Sequence, residues 1–200
     1  MDTIGFLAAP EATPEAQRLL DEDLAELGFV MNVSRLWAYQ PDTMQGLFEL
    51  IGRANATDRL SLRQRGILVV ACASAAGDSY CALSWGGKLA GVSDAETAAG
   101  VIAGTDDRLT AAERVMAGWA RKVARTPNAT TAEDVQQLRD AGFTDSQVFT
   151  MTVFVALRLA FATVNDALGA RPDRALHDTT PPAVREAITF GRPVDGSSGG

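Results

Sequence analysis

The sequence predicts an all-α fold, on three observations. Helix-start signals recur along the chain: Ser61…Gln64, Ser93…Glu96, Thr110…Glu113, Thr130…Glu133 and Thr144…Gln147 each precede an apolar-periodic run. In such a box the Ser or Thr side chain accepts a free backbone N–H of the first turn, and the Glu or Gln three residues on reaches back to the cap's own N–H. Proline follows Thr13, Gln40 and Thr180, where a first helical position has no use for the N–H that proline lacks. Finally, no run has the strict apolar–polar alternation of a half-buried strand.

Each element follows from these signals in order. A helix over 14–27 opens on Thr13-Pro14, and one over 41–54 opens on Gln40-Pro41. The latter carries Met44, Leu47, Phe48 and Ile51 as a single apolar stripe, as expected where one face packs. The Ser61 box opens 61–76, and after Gly77 a helix over 79–90 begins at Asp78. The next three boxes open 93–103, 110–125 and 131–141. Thr144 opens 145–168, which Gly169 ends and Pro172 keeps from continuing. A last helix spans 181–190. Ile67–Ala76 and most of Val148–Ala162 are apolar all round, so each should be buried on every side, centrally or at a subunit contact.

With 46% hydrophobic and 22% charged residues, the 200-residue chain reads as one globular domain over 14–193. An N-terminal arm, 1–13, precedes it, and a flexible tail, 194–200, follows, ending in the low-complexity Asp195–Gly200. The net charge of −7 argues against a nucleic-acid partner, since phosphate binding needs a basic surface. Asp21, Glu22, Asp23 and Glu26 read as a solvated helix face. No long apolar stretch lacks polar interruption, so no membrane span is expected. The first residues lack the basic start and apolar core of a secretory signal. Cys72 and Cys81 are too few for a disulfide framework, which points to a reduced, cytoplasmic protein. His177 is the one histidine, read as a surface loop residue. It cannot build a metal site, and no metal or cofactor is expected. There is no P-loop, Rossmann glycine pattern or Ser-His-Asp arrangement.

The chemistry concentrates in Ser61–Ala90, SLRQRGILVVACASAAGDSYCALSWGGKLA. This layout resembles the carboxymuconolactone decarboxylase/alkylhydroperoxidase-D superfamily, and its "peroxidase-related" subgroup in particular. Glu26–Ala54, Leu109–Val148 and Ala162–Asp173 resemble that subgroup's flanking helices in the same order. The resemblance implies a helical bundle whose subunits assemble as trimers or hexamers. The superfamily's redox branch writes Glu-x(11)-Cys-x-x-Cys-x(3)-His across the two central segments. On this chain those four positions are Gly66, Asp78, Cys81 and Trp85. The site is therefore a degenerate one: three of its four chemical groups are replaced, and a two-cysteine peroxide cycle is not expected. Cys72, nine residues from Cys81, reads as core.

Asp78 is placed to cap the following helix, its carboxylate accepting the N–H of Tyr80 or Cys81, and such bonds favour the ionised form. Its charge would then oppose thiolate formation at Cys81, which the helix N-terminus favours. Tyr80, Ser84 and Trp85 are expected to line the same cavity, with the vacant Gly66 position between Arg63 and Arg65. Arg158 and Asn165, polar on an apolar helix, need partners, expected at a subunit contact. Three functions fit. In the first, a hydrophobic small molecule is bound or transformed in a non-redox pocket around Asp78, Cys81 and Trp85. In the second, Cys81 serves a one-cysteine reductase of organic hydroperoxides. The third is a catalytically silent structural or regulatory homo-oligomer.

Overall fold

A computed structural model of the chain describes residues 3–196. Eleven α-helices are present among the described residues: α1 Pro14–Leu27, α2 Asn32–Trp37, α3 Pro41–Asp58, α4 Leu62–Ala76, α5 Ser79–Val92, α6 Ala95–Ala103, α7 Ala111–Arg125, α8 Ala132–Asp140, α9 Asp145–Ala167, α10 Arg174–Thr179 and α11 Pro182–Ala187. The fold is all-α apart from one small hairpin, β1 Thr3–Ile4 antiparallel to β2 Leu7–Ala8. That hairpin occupies the arm, where no strand is predicted. Its turn residue Gly5 (φ 58°) is pressed onto the end of α9, where an added Cβ would stand 2.2 Å from the Leu168 carbonyl. The Phe6 N–H donates to the same carbonyl at 2.9 Å.

α4 is the central helix. It packs on α5, α6, α7 and α9, and every residue from Ile67 to Ala73 is 2% exposed or less. α9 packs on α3, α4 and α7 and closes the other side. Its all-round apolar sequence is covered on one side only: Phe149 is 72% exposed, and Ala156 and Ala160 are open to solvent. By length and composition alone α9 is apolar enough to cross a membrane, although Arg158 and Asn165 interrupt its apolar run as read from the sequence. Here its inner face is the wall of the bundle core.

The capping boxes at Ser61, Thr110 and Thr144 form as predicted. Two others shift by one residue. Asp94, not Ser93, caps α6 and accepts the Thr97 N–H at 2.8 Å, because the Ser93 hydroxyl is engaged with the Leu89 carbonyl ending α5. Thr131, not Thr130, caps α8 with Asp134 closing the box, while the Thr130 hydroxyl donates to Pro127. α11 starts at Pro182 with Pro181 as its cap and stops at Ala187, short of the predicted end. α2 and α10 are six-residue helices without a side-chain cap bond, too short to announce themselves by periodicity. α10 places His177 in a helix, not a loop. Of the expected tail, 197–200 lie outside the described residues; Asp195 is tied down, its N–H donating to the Pro172 carbonyl at 2.9 Å.

Candidate functional site around Cys81

The site begins with a helix reversal. α4 ends on Gly77 in the left-handed region (φ 79°), which glycine enters without a Cβ penalty. The chain then turns directly into α5. Asp78 caps it, Oδ1 accepting the Cys81 N–H at 2.9 Å as its spacing predicts. Cys81 thus lies in the first turn of α5, 3% exposed, and both cysteines are free thiols.

Arg158, from the middle of α9, points back onto this turn. Its Nη2 lies 3.7 Å from the Cys81 Sγ. The guanidinium carbon sits 5.2 Å from the Trp85 ring centre, 5.4 Å from Phe161 and 5.8 Å from Phe48. Arg158 is 5% exposed, forms no salt bridge among the described residues, and its Nε has no hydrogen-bond partner. A buried cation in a cage of π faces is held by the ring quadrupoles, with the thiol as its polar neighbour. The expected subunit-contact role for Arg158 therefore gives way to a place in the site itself. Asn165 has one partner inside the protomer, its Oδ1 accepting the Trp37 indole N–H at 2.8 Å, while its buried Nδ2 has none among the described residues.

Burial decides the protonation states. The Cys81 thiol is pushed well above its ordinary range, first by burial and next by the Asp78 charge, against the pull of Arg158. Cys72 is pushed up to about 12, chiefly by burial. Asp78 is also raised: burial outweighs its bonds to Cys81 and the Arg158 charge. Burial thus opposes the ionised form that the cap bonds favour, because at 0% exposure the carboxyl has lost all its water. The resting site is a neutral thiol beside a carboxyl that holds its proton more tightly than usual.

The other expected residues divide. Trp85 is half-buried and lies between Arg158 and Lys88, whose ammonium is 5.0 Å from the ring. Lys88 is lowered by desolvation and then by Arg158. Ser84 is half-buried one turn from Cys81. Tyr80 is buried, but its hydroxyl donates to Asp173 Oδ2, which also serves α2 through the Asn32 N–H on Oδ1. It is a pin between helices rather than a cavity wall. Gly66 faces Leu89, where an added Cβ would meet Leu89 carbons at 3.2 Å, so a glutamate there would need the Leu89 side chain to give way. Arg63 is held by Glu113 with two bonds, 2.6 and 3.1 Å, and does not serve the pocket. Phe48, Phe161 and Lys88 join the site without a motif to mark them. Arg158 had a signal, a lone guanidinium on an apolar helix, that pointed to a partner but not to which one.

The fold and site together define a class: a helical bundle with a cysteine in the first turn of the helix that follows the central one. The solved structures give that class its name, the alkylhydroperoxidase-D-like fold. A peroxidase-related protein from Ralstonia eutropha JMP134, described as an alkylhydroperoxidase AhpD core, matches with TM-score 0.76 at 23% identity over 88% of this chain and 96% of that one. A peroxidase-related protein from Silicibacter sp. TM1040 matches with TM-score 0.77 at 22% identity over 88% and 95%. The debrominase Bmp8 matches with TM-score 0.73 at 17% identity over 93% of this chain and all of that one. A cysteine-to-alanine variant of that debrominase, solved with 2,3,4-tribromopyrrole, also matches, with TM-score 0.70. No protein-family model matches the chain, and no curated protein matches it in sequence.

Proposed function

We propose that this protein binds or transforms an apolar organic molecule at the cage formed by Cys81, Arg158, Trp85, Phe48 and Phe161, without a two-cysteine peroxide cycle. The observation that carries this reading is the Arg158 guanidinium: buried, without a salt bridge and stacked among three rings on the Cys81 sulfur. Such a centre suits a planar ligand with an acidic or electron-rich group, which would supply the charge and acceptor that Arg158 lacks. Phe48, 38% exposed, and Trp85 are the parts of the cage that reach the surface and would admit it. Cys81 is the candidate reacting group, and Asp78, whose carboxyl is raised by burial, the candidate proton donor. The structural likeness to a debrominase supports the reading to this extent: one protein with this fold takes a brominated pyrrole. A one-cysteine reductase needs a ready thiolate, and the raised Cys81 thiol disfavours it.

The test uses the debrominase's own ligand as a probe. 2,3,4-tribromopyrrole should quench Trp85 fluorescence, with Trp85→Phe as the control. Arg158→Met should weaken binding about tenfold or more, the scale of one charge-assisted contact. In parallel, iodoacetamide labelling of Cys81 across pH should give a thiol pKa above about 8.5, and cumene hydroperoxide should not protect it. A lower thiol pKa with hydroperoxide protection would establish the reductase instead. Absence of both quenching and peroxide turnover would leave the silent oligomer.

A further inference from the structure

We infer a second binding site, for an organic monoanion with an apolar body, in the cavity beneath the C-terminal segment. This inference does not depend on the chemistry at Cys81. After α11 the chain runs without helix or strand across the N-terminal end of α5. The Ser79 hydroxyl donates to the Arg192 carbonyl at 2.8 Å, and Arg192 Nη2 donates to the Asp166 carbonyl at 2.8 Å. Gly191 (φ 74°) sits so close to the α4–α5 turn that a Cβ would stand 2.6 Å from the Gly77 carbonyl and 2.7 Å from Ser79. With Asp195 tied to Pro172, the segment is a strap fixed at several points.

Between the strap, α10, α11 and α5 lies a cavity of about 410 Å³, within the range of small-ligand pockets. Its apolar walls include Leu83, Pro172, Ile188 and Phe190. Its charged lining is of one sign, Arg185 and Arg192, with His177 beside them and no Asp or Glu. In a chain of net charge −7 that is a local reversal. The half-buried Arg185 side chain has no hydrogen bond or salt bridge among the described residues. His177 leans on Asp178 at 3.2 Å, and Arg192 already serves the Asp166 carbonyl. Arg185 is therefore the guanidinium with every donor open, able to take a carboxylate through two parallel N–H groups, while Arg192 leaves its buried Nε without a partner. The apolar walls would cover the ligand's body. Pro172, which holds the end of the strap, lines the same cavity, so an occupant would bear on the strap.

Phenylbutyrate is the probe, followed by calorimetry, with phenylbutanol as its uncharged counterpart. The acid should bind at least tenfold more tightly than the alcohol. Arg185→Met, which keeps an apolar stem and removes an unbonded guanidinium, should lose at least tenfold for the acid and little for the alcohol. Thr189→Glu, at an exposed lining position, should abolish binding by like charge. Binding should also slow hydrogen exchange of the Asp195 amide. Equal affinity of acid and alcohol, full affinity in Arg185→Met, or an unchanged Asp195 amide would each overturn the site. Inorganic phosphate displacing the acid at equal concentration would overturn the apolar part. Loss of binding in Arg158→Met but not in Arg185→Met would place the ligand at the Cys81 cage and overturn the inference equally.

Discussion

As an N-cap, the Asp78 carboxyl gains one hydrogen bond from the Cys81 N–H, an arrangement worth about 1 kcal/mol over alanine. Losing all its water costs an ionised carboxyl several kcal/mol even after relaxation, so burial outweighs the cap bond and the carboxyl is raised above its ordinary range. The cap was legible from Gly77-Asp78 and the apolar run beyond it; the upward shift was not, because the strap packed on its neighbours Gly77 and Ser79 comes from more than a hundred residues away. Asp166 carries the same physics nearer neutrality. Burial, then the Asp78 charge, raises it to about 7, with Arg192 opposing. The folded chain thus holds a proton at Asp166 where the unfolded chain, with a carboxyl pKa of about 3.9, has released it. This contribution to stability is fully present below about pH 4 and is lost as pH rises to about 7. Thermal melts between these limits should show that loss, and Asp166→Asn should flatten it. An unchanged slope in the variant would assign the loss to another group, with buried Asp78 and Asp173 next in line, both also raised by burial.

Between helices, the closest approach tied to a single glycine is where α5 meets α6 and α11. A Cβ on Gly86 would come 2.7 Å from Val184 Cγ1 and 3.3 Å from Ile102 Cδ1. Alanine there gains up to about 1 kcal/mol in helix propensity, but overpacking a filled core costs about 1–3 kcal/mol. Val184 is fully buried and β-branched, so it has little freedom to move aside. Gly86→Ala should therefore destabilise by about 1–2 kcal/mol in urea unfolding. The Gly86→Ala, Val184→Ala pair should lose less than the sum of the single changes, since the second removes the clashing methyl. Additive losses would mean that α11 shifts instead. Helix boundaries were readable wherever a box coincided with a periodic run, as at Ser61, Thr110 and Thr144. They slipped by a residue where two capping candidates stood side by side, Ser93 with Asp94 and Thr130 with Thr131, since only the competing bonds of the preceding turn choose between them. Nothing local in Gly86 marks a three-helix junction.

Across the whole molecule, the order of helices and the Ser61–Ala90 frame made the fold legible, while the cage stayed hidden because its parts come from α3, α5 and α9. Two all-round apolar helices were expected to be buried, centrally or at a subunit contact, and within the protomer they differ. α4 is covered within the protomer, but α9 shows solvent Phe149, Ala156, Ala160 and Thr163, with Val153 half-covered between them. These positions recur at alternating steps of four and three, which makes a straight seam along one side of a helix. Small residues in the seam permit close approach, and Phe149 offers a large ring to bury. We propose that this face joins copies of the chain into the trimer or hexamer that the family resemblance implies. Sedimentation velocity at micromolar concentration should give that mass, and Phe149→Glu should shift it towards the protomer with the helical circular dichroism unchanged. Phe149 makes no contact that holds the protomer together on its exposed side, so a folded but smaller species is the informative result. A wild-type protein that sediments as a protomer would refute the assembly, and α9 would then have to be covered by some other apolar surface.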